Sequence, residues 1–531
     1  MFEDLRFVME SVTTLALAFS VCSLTIFCVY RRMAGSSTSL PGPRAWPIVG
    51  NLLMISKAKD FYKLTKELQK KYGNVYKLQF GQLTIVFISG HKNITKCWIE
   101  DGDISTDRPD WLFCPRVITK QKGIIMANGH QYIELYKLLM QAQRGEFFQK
   151  NMELQLTEEI NELCKCFSPE NAVDPLEHLR TSVLNVGAIM AFGKRFDYSD
   201  AEFKTLYARI LYVFKHGQSL GRKETFFSWL AFFTKSQVRE VIAENDKLHE
   251  YIREQLKDHK IEHSPKSPKD FLDFYLNLSE ETRKDSALSE ANMFQTIVDM
   301  FTGSIDSLTA TLMIIVFYLL KYPDVQRKCR EELHRVCKGK SKVTLEDGDQ
   351  LVYNRSTIRE VLRIAKPLVF SIYRTNKRDM EVDGYTIPAK SIILYDLNDP
   401  QVDPTVWENP LEFNPDRWTD RLTETQTDGF LPFGTGKYKF ISIPSLENYY
   451  PEFIRIRTAK YLSLFLGERK CPGRIEAERS VLLITTNILQ KFELIPEDEN
   501  LPMEREWTGV VLRPKPFKMF MKPVEYFEDF R

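Results

Sequence analysis

The sequence predicts a mainly α-helical protein with a small β-rich subdomain, and three observations support this. Long stretches at 233–260 and 290–337 carry apolar residues at the three-to-four spacing of amphipathic helices. Strand-like alternation is confined to 75–90 and to short runs at 380–400. No repeat of 20–50 residues is visible, which argues against a solenoid. We therefore expect a large helical domain that carries a few short strands.

Composition narrows the class of protein. The 531 residues are 43% hydrophobic and 27% charged, enough apolar material for a packed core and too much for wholesale disorder. Lys and Arg number 73 against 71 Asp and Glu, and no long basic block occurs, so nucleic acid is not an expected partner. The nine cysteines are widely scattered, which favours a reducing compartment. Cys164 and Cys166 lack a second pair at zinc spacing, and we expect no zinc site there.

The N-terminal segment is predicted to anchor the chain in a membrane. Residues 11–30 carry no charge and are about as long as a helix that spans a bilayer. Arg31 and Arg32 follow, which places the remainder of the chain in the cytoplasm. A cleaved signal peptide is the alternative, although the acidic start of the chain is unlike one. The expected organisation is a membrane anchor at 1–32, a linker and proline-rich hinge at 33–43, and one globular domain at 44–531.

One cysteine has a distinctive setting. The segment Arg469-Lys-Cys471-Pro-Gly473 precedes an apolar helical run at 477–492, so Cys471 is predicted on a turn at a helix N-terminus. That placement lowers the pKa of a thiol and favours the thiolate, which is the form that binds metals. An ordinary surface cysteine remains the alternative on this observation alone.

Charged and polar residues recur at informative spacings upstream. Glu360 and Arg363 lie three residues apart on one helical face, where they can pair, and Arg417 could reach them to complete a charge-assisted network. Asp306 and Ser307 interrupt an otherwise apolar helix, whose following run LMIIVFYLL is too short to span a membrane and indicates a core helix. An acid and an alcohol there are costly unless they serve a site.

In order and spacing these segments resemble the cytochromes P-450, the haem-thiolate monooxygenases, in their microsomal animal form. The resemblance runs from LPGPRAWPIVGN through DMFTGSIDSLTATL, EVLR and GYTIPAKSIIL to FNPDRW and GERKCPGRIEAE, and it covers nearly the whole chain. It implies the cytochrome P-450 fold with an N-terminal transmembrane helix. It also implies an endoplasmic reticulum protein that crosses the membrane once, with its catalytic domain in the cytosol.

The resemblance implies a haem cofactor and a monooxygenase activity. Such an enzyme inserts one oxygen atom from O2 into an apolar small molecule, with electrons from NADPH through a reductase. Steroids, lipids and xenobiotics all remain open as substrates. The implied partners are the reductase, O2, the substrate and membrane lipid.

The resemblance also assigns residues to the cofactor. Cys471 would be the thiolate ligand of the haem iron. Arg469 and Arg374 match positions that pair with the haem propionates, a role suited to a planar, permanently charged donor. Gly467 and Gly473 match the glycines of the haem-binding loop.

Further residues match catalytic and structural positions of the family. Asp306 and Ser307 match the acid–alcohol pair that delivers protons to bound dioxygen, with serine in place of the commoner threonine. Glu360, Arg363 and Arg417 match the structural charge triad.

The sequence departs from the family at two places near the expected haem. The family often has Trp-x-x-x-Arg where this chain has 129–137, so a tyrosine hydroxyl and Lys137 would have to donate instead. Ser304 stands where a glycine usually opens the kink of the oxygen-side helix, and Gly303 comes one position early, which would displace the dioxygen groove.

An insertion divides the expected haem loop. Phe430–Lys437 resembles the start of that loop and Arg469–Gly473 its end, and residues 438–468 separate them. The insertion is rich in Ile, Tyr, Phe, Leu and Lys, as a translated AT-rich intron would be, or it is a genuine feature of the protein. We expect it to impair haem incorporation. Two functions therefore remain open, an active monooxygenase and a catalytically impaired or haem-free membrane-anchored protein of the same fold.

The aromatic run at 226–233 allows two interpretations. It could enter the bilayer beside the anchor as an interfacial segment. It could equally form a core-packed helix or a lid of the substrate channel.

Overall fold

The computed structural model describes residues 14–27, 40–217, 223–419, 422–434, 469–501, 504–508 and 511–524. Helices dominate these residues, as the sequence predicts. The described α-helices are, in chain order, α1 (Thr14–Phe27), α2 (Leu52–Lys57), α3 (Phe61–Tyr72), α4 (His91–Thr95), α5 (Gly102–Ser105), α6 (Gly129–Arg144), α7 (Glu146–Lys165), α8 (Leu176–Phe192), α9 (Ala201–Gly217), α10 (Lys223–Phe226), α11 (Lys235–Glu262), α12 (Phe271–Leu276), α13 (Glu280–Lys284), α14 (Glu290–Lys321), α15 (Pro323–Val336), α16 (Leu345–Gly348), α17 (Val352–Ile364), α18 (Glu424–Gly429) and α19 (Arg474–Lys491).

The strands form one sheet of four strands and three separate pairs. They are β1 (Val75–Phe80), β2 (Leu83–Ile88), β3 (Arg374–Thr375), β4 (Met380–Val382), β5 (Tyr385–Ile387), β6 (Ile392–Tyr395), β7 (Phe492–Pro496), β8 (Arg505–Thr508), β9 (Val511–Pro514) and β10 (Met519–Pro523). The larger sheet has the order β1-β2-β6-β3, in which β2 and β6 are parallel and the other neighbours are antiparallel. The pairs are β4 with β5, β7 with β10, and β8 with β9.

The predicted alternation at 75–90 is the hairpin β1–β2, in which Val75 lies opposite Ile88. Both faces of β2 are buried, since Ile85 and Phe87 pack in one apolar cluster and Val86 and Ile88 in another. The small β-rich part is therefore packed on both sides, and β3 of this sheet carries Arg374.

The long helix α14 runs through the centre of the helical core. It packs against α8, α11 and α19, and residues 308–320 are all buried. The predicted helical stretch 290–337 is two helices, because Pro323 lacks an N–H and disfavours helical geometry at Tyr322.

Among the described residues, one helix, α14, is long and apolar enough to cross a membrane, and it is mostly buried as a core helix. The N-terminal helix α1 is a shorter apolar helix whose side chains are exposed. The rest of the predicted span, with Arg31 and Arg32, lies outside the described residues. The transmembrane anchor therefore stays a prediction.

Candidate active site

A cavity of about 1580 Å³ lies between α14, α17 and the turn that precedes α19. Gly303 and Ser307 line it from α14, and Cys471 lines it from that turn. Pockets for one small molecule usually measure about 300–1,000 Å³. The cavity therefore has room for a cofactor together with a substrate.

Cys471 lies on the turn before α19, where the sequence predicts it. Its N–H donates to the carbonyl oxygen of Phe433 at 3.0 Å, and Gly473 is the N-cap residue of α19. Arg469 enters the turn with a φ of 68°, in the left-handed region that residues other than glycine rarely adopt. The turn is thus tied to residues on the far side of the insertion.

The predicted lowering of the Cys471 pKa is wrong for the protein on its own. The part of the thiol surface that is exposed faces the cavity. Because the surrounding protein encloses that cavity, burial raises the pKa of the thiol. The N–H of Gly473 and the charge of Arg474 act in the opposite direction without reversing the shift. A bound metal would itself favour the thiolate.

Three arginines line one part of the cavity. Arg108, Arg374 and Arg469 are all buried, with 8%, 2% and 9% of their surface exposed. Burial and the charge of Arg469 lower the pKa of Arg374 to about 10, although Tyr395 acts to raise it. Buried cations are costly without an anion. The site therefore favours a ligand with acidic groups.

Arg374 has unsatisfied hydrogen-bonding capacity in this cavity. Its Nε and Nη1 are buried and have no hydrogen-bond partner among the described residues. Its guanidinium carbon lies 3.9 Å above the ring of Trp98, which is 1% exposed and also lines the cavity. The indole Nε1 of Trp98 is likewise buried without a partner. Two adjacent side chains thus hold N–H groups that need an acceptor, because an unmet buried donor is destabilising.

Asn128 joins the other two arginines. Its Oδ1 accepts hydrogen bonds from the backbone N–H of Arg108 at 2.7 Å and from Nη2 of Arg469 at 2.8 Å. Its Nδ2 donates to the carbonyl oxygen of Arg108 at 2.9 Å. Asn128 therefore ties the Arg469 guanidinium to the backbone of Arg108.

The two substitute donors suggested at 129–137 have other partners. The hydroxyl of Tyr132 accepts the backbone N–H of Arg469 at 3.1 Å, and the Arg469 guanidinium lies 4.0 Å above the tyrosine ring. Lys137 pairs with Glu134 at 2.8 Å. Tyr132 therefore supports Arg469, and Lys137 is held on its own helix.

The predicted charge network forms between α17 and the segment at 414–418. Glu360 contacts Arg363 at 2.8 Å and Arg417 at 2.9 Å, and the indole N–H of Trp418 donates to Glu360 at 2.8 Å. Burial would raise the pKa of Glu360, but Arg363, the N–H of Asn414 and Trp418 hold it below its ordinary value. The network fixes the segment at 414–418 to α17.

Ser307 lies on the cavity wall and Asp306 does not. The hydroxyl of Ser307 donates to the carbonyl oxygen of Gly303 at 2.7 Å. Burial raises the pKa of Asp306, although Arg180 and Arg513 act to lower it. The helix α14 continues unbroken through this region, and a side chain at Gly303 would meet nothing within 4 Å.

Asp299 fastens the loop before α6 to α14. Its Oδ2 accepts the N–H of Ile125 at 2.9 Å, and its Oδ1 accepts from Gln295 at 3.1 Å. Burial raises the pKa of Asp299 to about 7. A side chain at position 123 would clash with this carboxyl group, so the loop can come this close to α14 only because residue 123 is glycine.

Asp299→Asn is expected to change how stability depends on pH. The folded-state pKa of Asp299 lies above its value of about 3.9 in an unfolded chain, so the folded protein binds this proton more tightly. The stability from the protonated carboxyl is complete below about pH 4 and is lost as the pH rises to about 7. The wild-type unfolding free energy minus that of Asp299→Asn should fall by about 2–4 kcal/mol over this interval and stay constant above it. Urea unfolding across the pH range measures it, and a constant difference would contradict the assignment.

Part of the predicted haem loop lies outside the described residues, including Gly467 and the insertion 438–468. The described residues on either side of it, Gly434 and Arg469, lie close together. A side chain at Gly434 would contact the carbonyl oxygen of Arg469 at 3.9 Å, in addition to the Phe433–Cys471 hydrogen bond. The chain therefore leaves and re-enters this turn at neighbouring points.

The mainly helical fold, the thiol of Cys471 in a large cavity and the buried arginines beside it together fit a haem-thiolate protein. The chain belongs to the cytochrome P450 family, since the sequence model of the family described as Cytochrome P450 matches residues 40–438 and 447–521. The predicted resemblance is confirmed, and the protein is a cytochrome P450 monooxygenase, an oxidoreductase.

Mammalian relatives match over nearly their full length. Mouse Cytochrome P450 2J5 is 26% identical over 490 residues, which cover 91% of each chain. Human Cytochrome P450 2U1 is 26% identical over 90% of this chain and 88% of its own. Rat Cytochrome P450 2C23 is 27% identical over 96% of this chain and 99% of its own.

The family implies haem, and the residues of the cavity fit it. Cys471 offers a thiol for iron, while the unsatisfied N–H groups of Arg374 and Trp98 suit carboxylates at the edge of a flat, apolar ring. Sequence reasoning identified Cys471, Arg374 and Arg469 but missed Arg108 and Trp98. No motif marks those two, since they reach the cavity only through the packing of distant segments.

Proposed function

We propose that the protein inserts one oxygen atom of O2 into an apolar small molecule, with electrons from NADPH delivered through a reductase. The observation that carries this proposal is the single cavity that joins Cys471, three buried arginines and the Ser307 face of α14. Haem bound there supplies the iron at which dioxygen is activated. The substrate class stays broad, with steroids, lipids and xenobiotics all compatible with a cavity of this size.

Oxygen labelling tests the reaction. The full chain, reconstituted with haem, a reductase and NADPH, is offered a panel of apolar substrates under ¹⁸O2. One labelled oxygen atom per product molecule is expected. Product oxygen that comes from water instead, with a competent reductase and haem loaded, would contradict the proposal.

The residues have separable roles in holding the cofactor. The Cys471 Sγ ligates iron as a thiolate, and Gly473 directs its N–H at the sulfur. Arg374, Arg469 and Arg108 bind the propionates. Trp98 donates its indole N–H to the same groups, and its ring stacks against the guanidinium of Arg374. It thereby takes the place of the tryptophan that is absent from 129–137.

Ser307 holds the proton needed on the oxygen side. Its Oγ lines the cavity and its hydrogen is donated to the carbonyl oxygen of Gly303, so the hydroxyl would pass a proton inward by turning from that carbonyl toward the cavity. Asp306 lies at the neighbouring position, where the charges of Arg180 and Arg513 act on it, and its proposed role is to supply protons to Ser307. Glu360, Arg363 and Arg417 serve the fold beneath the cofactor.

Ser307→Ala is expected to uncouple the enzyme, because without this proton source the two electrons from NADPH would leave with O2 and two protons as hydrogen peroxide instead of supporting oxygen insertion. Haem and substrate binding should persist, with about tenfold less product per NADPH consumed. Coupled assays of NADPH, peroxide and product measure it. Ser304→Ala is the matched control, since Ser304 also lines the cavity but donates to Phe301. Equal coupling in wild type and Ser307→Ala would exclude a necessary role.

A membrane location is supported by an exposed aromatic patch. Trp229, Phe232 and Phe233 are 53%, 69% and 72% exposed, and Lys235 lies above the ring of Phe232. Aromatic and basic side chains together suit a lipid headgroup layer. With α1 they favour an endoplasmic reticulum enzyme anchored by residues 1–32, linked by 33–43, whose domain 44–531 lies on the cytosolic face.

Alkaline carbonate washing tests the anchor. The full chain should remain with microsomal membranes, whereas a chain that begins at residue 33 should be released, because the apolar segment is absent. Protease added to intact microsomes should digest the domain. Release of the full chain, or protection of its domain, would contradict this location.

The impaired, haem-free alternative gains no support from the described residues. The described residues that flank the insertion, Gly434 and Arg469, lie close together beside Cys471, so contacts between the two flanking segments hold the turn together. Closing a loop of about thirty residues costs roughly 3 kcal/mol, which does not forbid the site. We therefore favour an active enzyme that tolerates the insertion.

A further inference from the structure

A second group of side chains that could bind a metal ion lies between the last turn of α11 and the start of α12. It is separate from the proposed haem site. His259 lies in the last turn of α11, Asp270 is the N-cap residue of α12, and Asp273 lies in its first turn. One ligand atom from each lies within 4.8 Å of the others. Both aspartates are buried, and the His259 side chain is 14% exposed, which leaves an entry path.

The orientation of His259 directs a lone pair at the carboxylates. Its Nδ1 lies 2.8 Å from the carbonyl oxygen of Gln255, so Nδ1 carries the proton in the neutral ring. Its Nε2 lies 3.0 Å from Oδ2 of Asp270. Two acceptors then face each other inside the protein. A cation between them, or a second proton on the ring, is required.

Surrounding groups hold the carboxylates in place. His263 contacts Asp273 at 3.2 Å and Asn277 at 3.0 Å, and the amide of Asn277 is oriented by its bond to Pro265. The backbone at Gly193 also packs closely against the carboxylate of Asp270. A side chain at Gly193, whose φ is 70°, would lie 2.6 Å from Oδ2 of Asp270.

We propose that His259, Asp270 and Asp273 bind a divalent transition-metal cation of the zinc type. Imidazole nitrogen and carboxylate oxygen are ordinary zinc ligands, and water completes the coordination. Histidine ligands characteristically donate their second N–H to a carbonyl, as His259 does to Gln255. The cation fastens α11 to α12 and has no part in the haem chemistry. His259 and His263 lie four residues apart in the sequence, so both can face α12 from neighbouring turns of the chain.

Zinc binding to the haem-loaded full chain tests the proposal. After equilibrium dialysis against Zn²⁺, the wild type should retain one more zinc ion per polypeptide than His259→Gln or Asp270→Asn. The asparagine variant keeps an oxygen to cap α12. His263→Gln should bind about 10- to 100-fold more weakly, because it removes a group that orients a ligand. His130→Gln is the matched control, since it removes an exposed His–Asp pair that has no third ligand among the described residues.

Thermal unfolding distinguishes a metal ion bound at this position from a proton bound there. Zn²⁺ should raise the melting temperature of the wild type and of His130→Gln more than that of His259→Gln. Equal zinc content in wild type and Asp270→Asn would overturn the proposal. The proposal would also be overturned if lowering the pH stabilised the protein and Zn²⁺ did not. That result would identify a protonated His259 paired with Asp270.

Discussion

Cys471→Ser is expected to abolish the thiolate-type absorption spectrum of the reduced, CO-bound protein. Among the cysteines that the structure describes, Cys471 is the one that lines the cavity. It is held there by the hydrogen bond that its N–H donates to the carbonyl oxygen of Phe433. A serine hydroxyl keeps the size of the side chain but does not supply the soft, electron-donating sulfur. Haem content should also fall, although the buried arginines continue to attract the propionates.

Cys166→Ser is the control for this change. Cys166 is a half-buried thiol near the end of α7 and does not line the cavity. Its replacement should leave the spectrum intact. A thiolate-type spectrum that survives Cys471→Ser and disappears in another cysteine variant would show that the iron ligand has been misassigned.

Glu360→Ala is expected to lower the unfolding free energy by about 3–5 kcal/mol. Glu360 and Arg363 have side chains with no exposed surface, and Glu360 also binds Arg417. Removing the carboxylate leaves a fully buried guanidinium without its anion, while Trp418 loses the acceptor of its indole N–H. Urea unfolding followed by circular dichroism measures the change.

Two further variants make that result interpretable. Glu360→Gln keeps the volume and one acceptor, so it should retain more stability than alanine and provides a folded protein if alanine does not. Glu331→Ala removes an exposed pair with Arg327 and should have little effect. A small effect of Glu360→Ala, similar to that of Glu331→Ala, would mean that the network is dispensable.

Elements with local signals were predictable from the sequence. The hairpin at 75–90, the helix at 235–262 and the turn at Cys471 follow from residue spacing alone. Glu360 and Arg363 pair because three residues separate them on a helix. Such features depend on neighbours along the chain, which a sequence displays.

Features that depend on tertiary packing were not predictable. Trp98 and Arg374 are 276 positions apart in the numbering, and only the fold stacks them. The pKa of Cys471 was predicted to be lowered by the helix terminus, yet burial outweighs that effect. Lys137 was a candidate donor to the cofactor, but it pairs with Glu134 three residues earlier on the same helix, a local signal that the sequence analysis overlooked.

The most direct test is the reduced, CO-bound absorption spectrum together with the haem content of the full chain, measured beside a chain that lacks residues 438–468. Because the described residues that flank the insertion, Phe433, Gly434 and Arg469, lie together beside Cys471, both chains should bind about one haem per polypeptide and give the thiolate-type spectrum. Haem bound by the shortened chain alone would show that the insertion disables this protein. Absence of the thiolate-type spectrum from both would contradict the haem site described around Cys471.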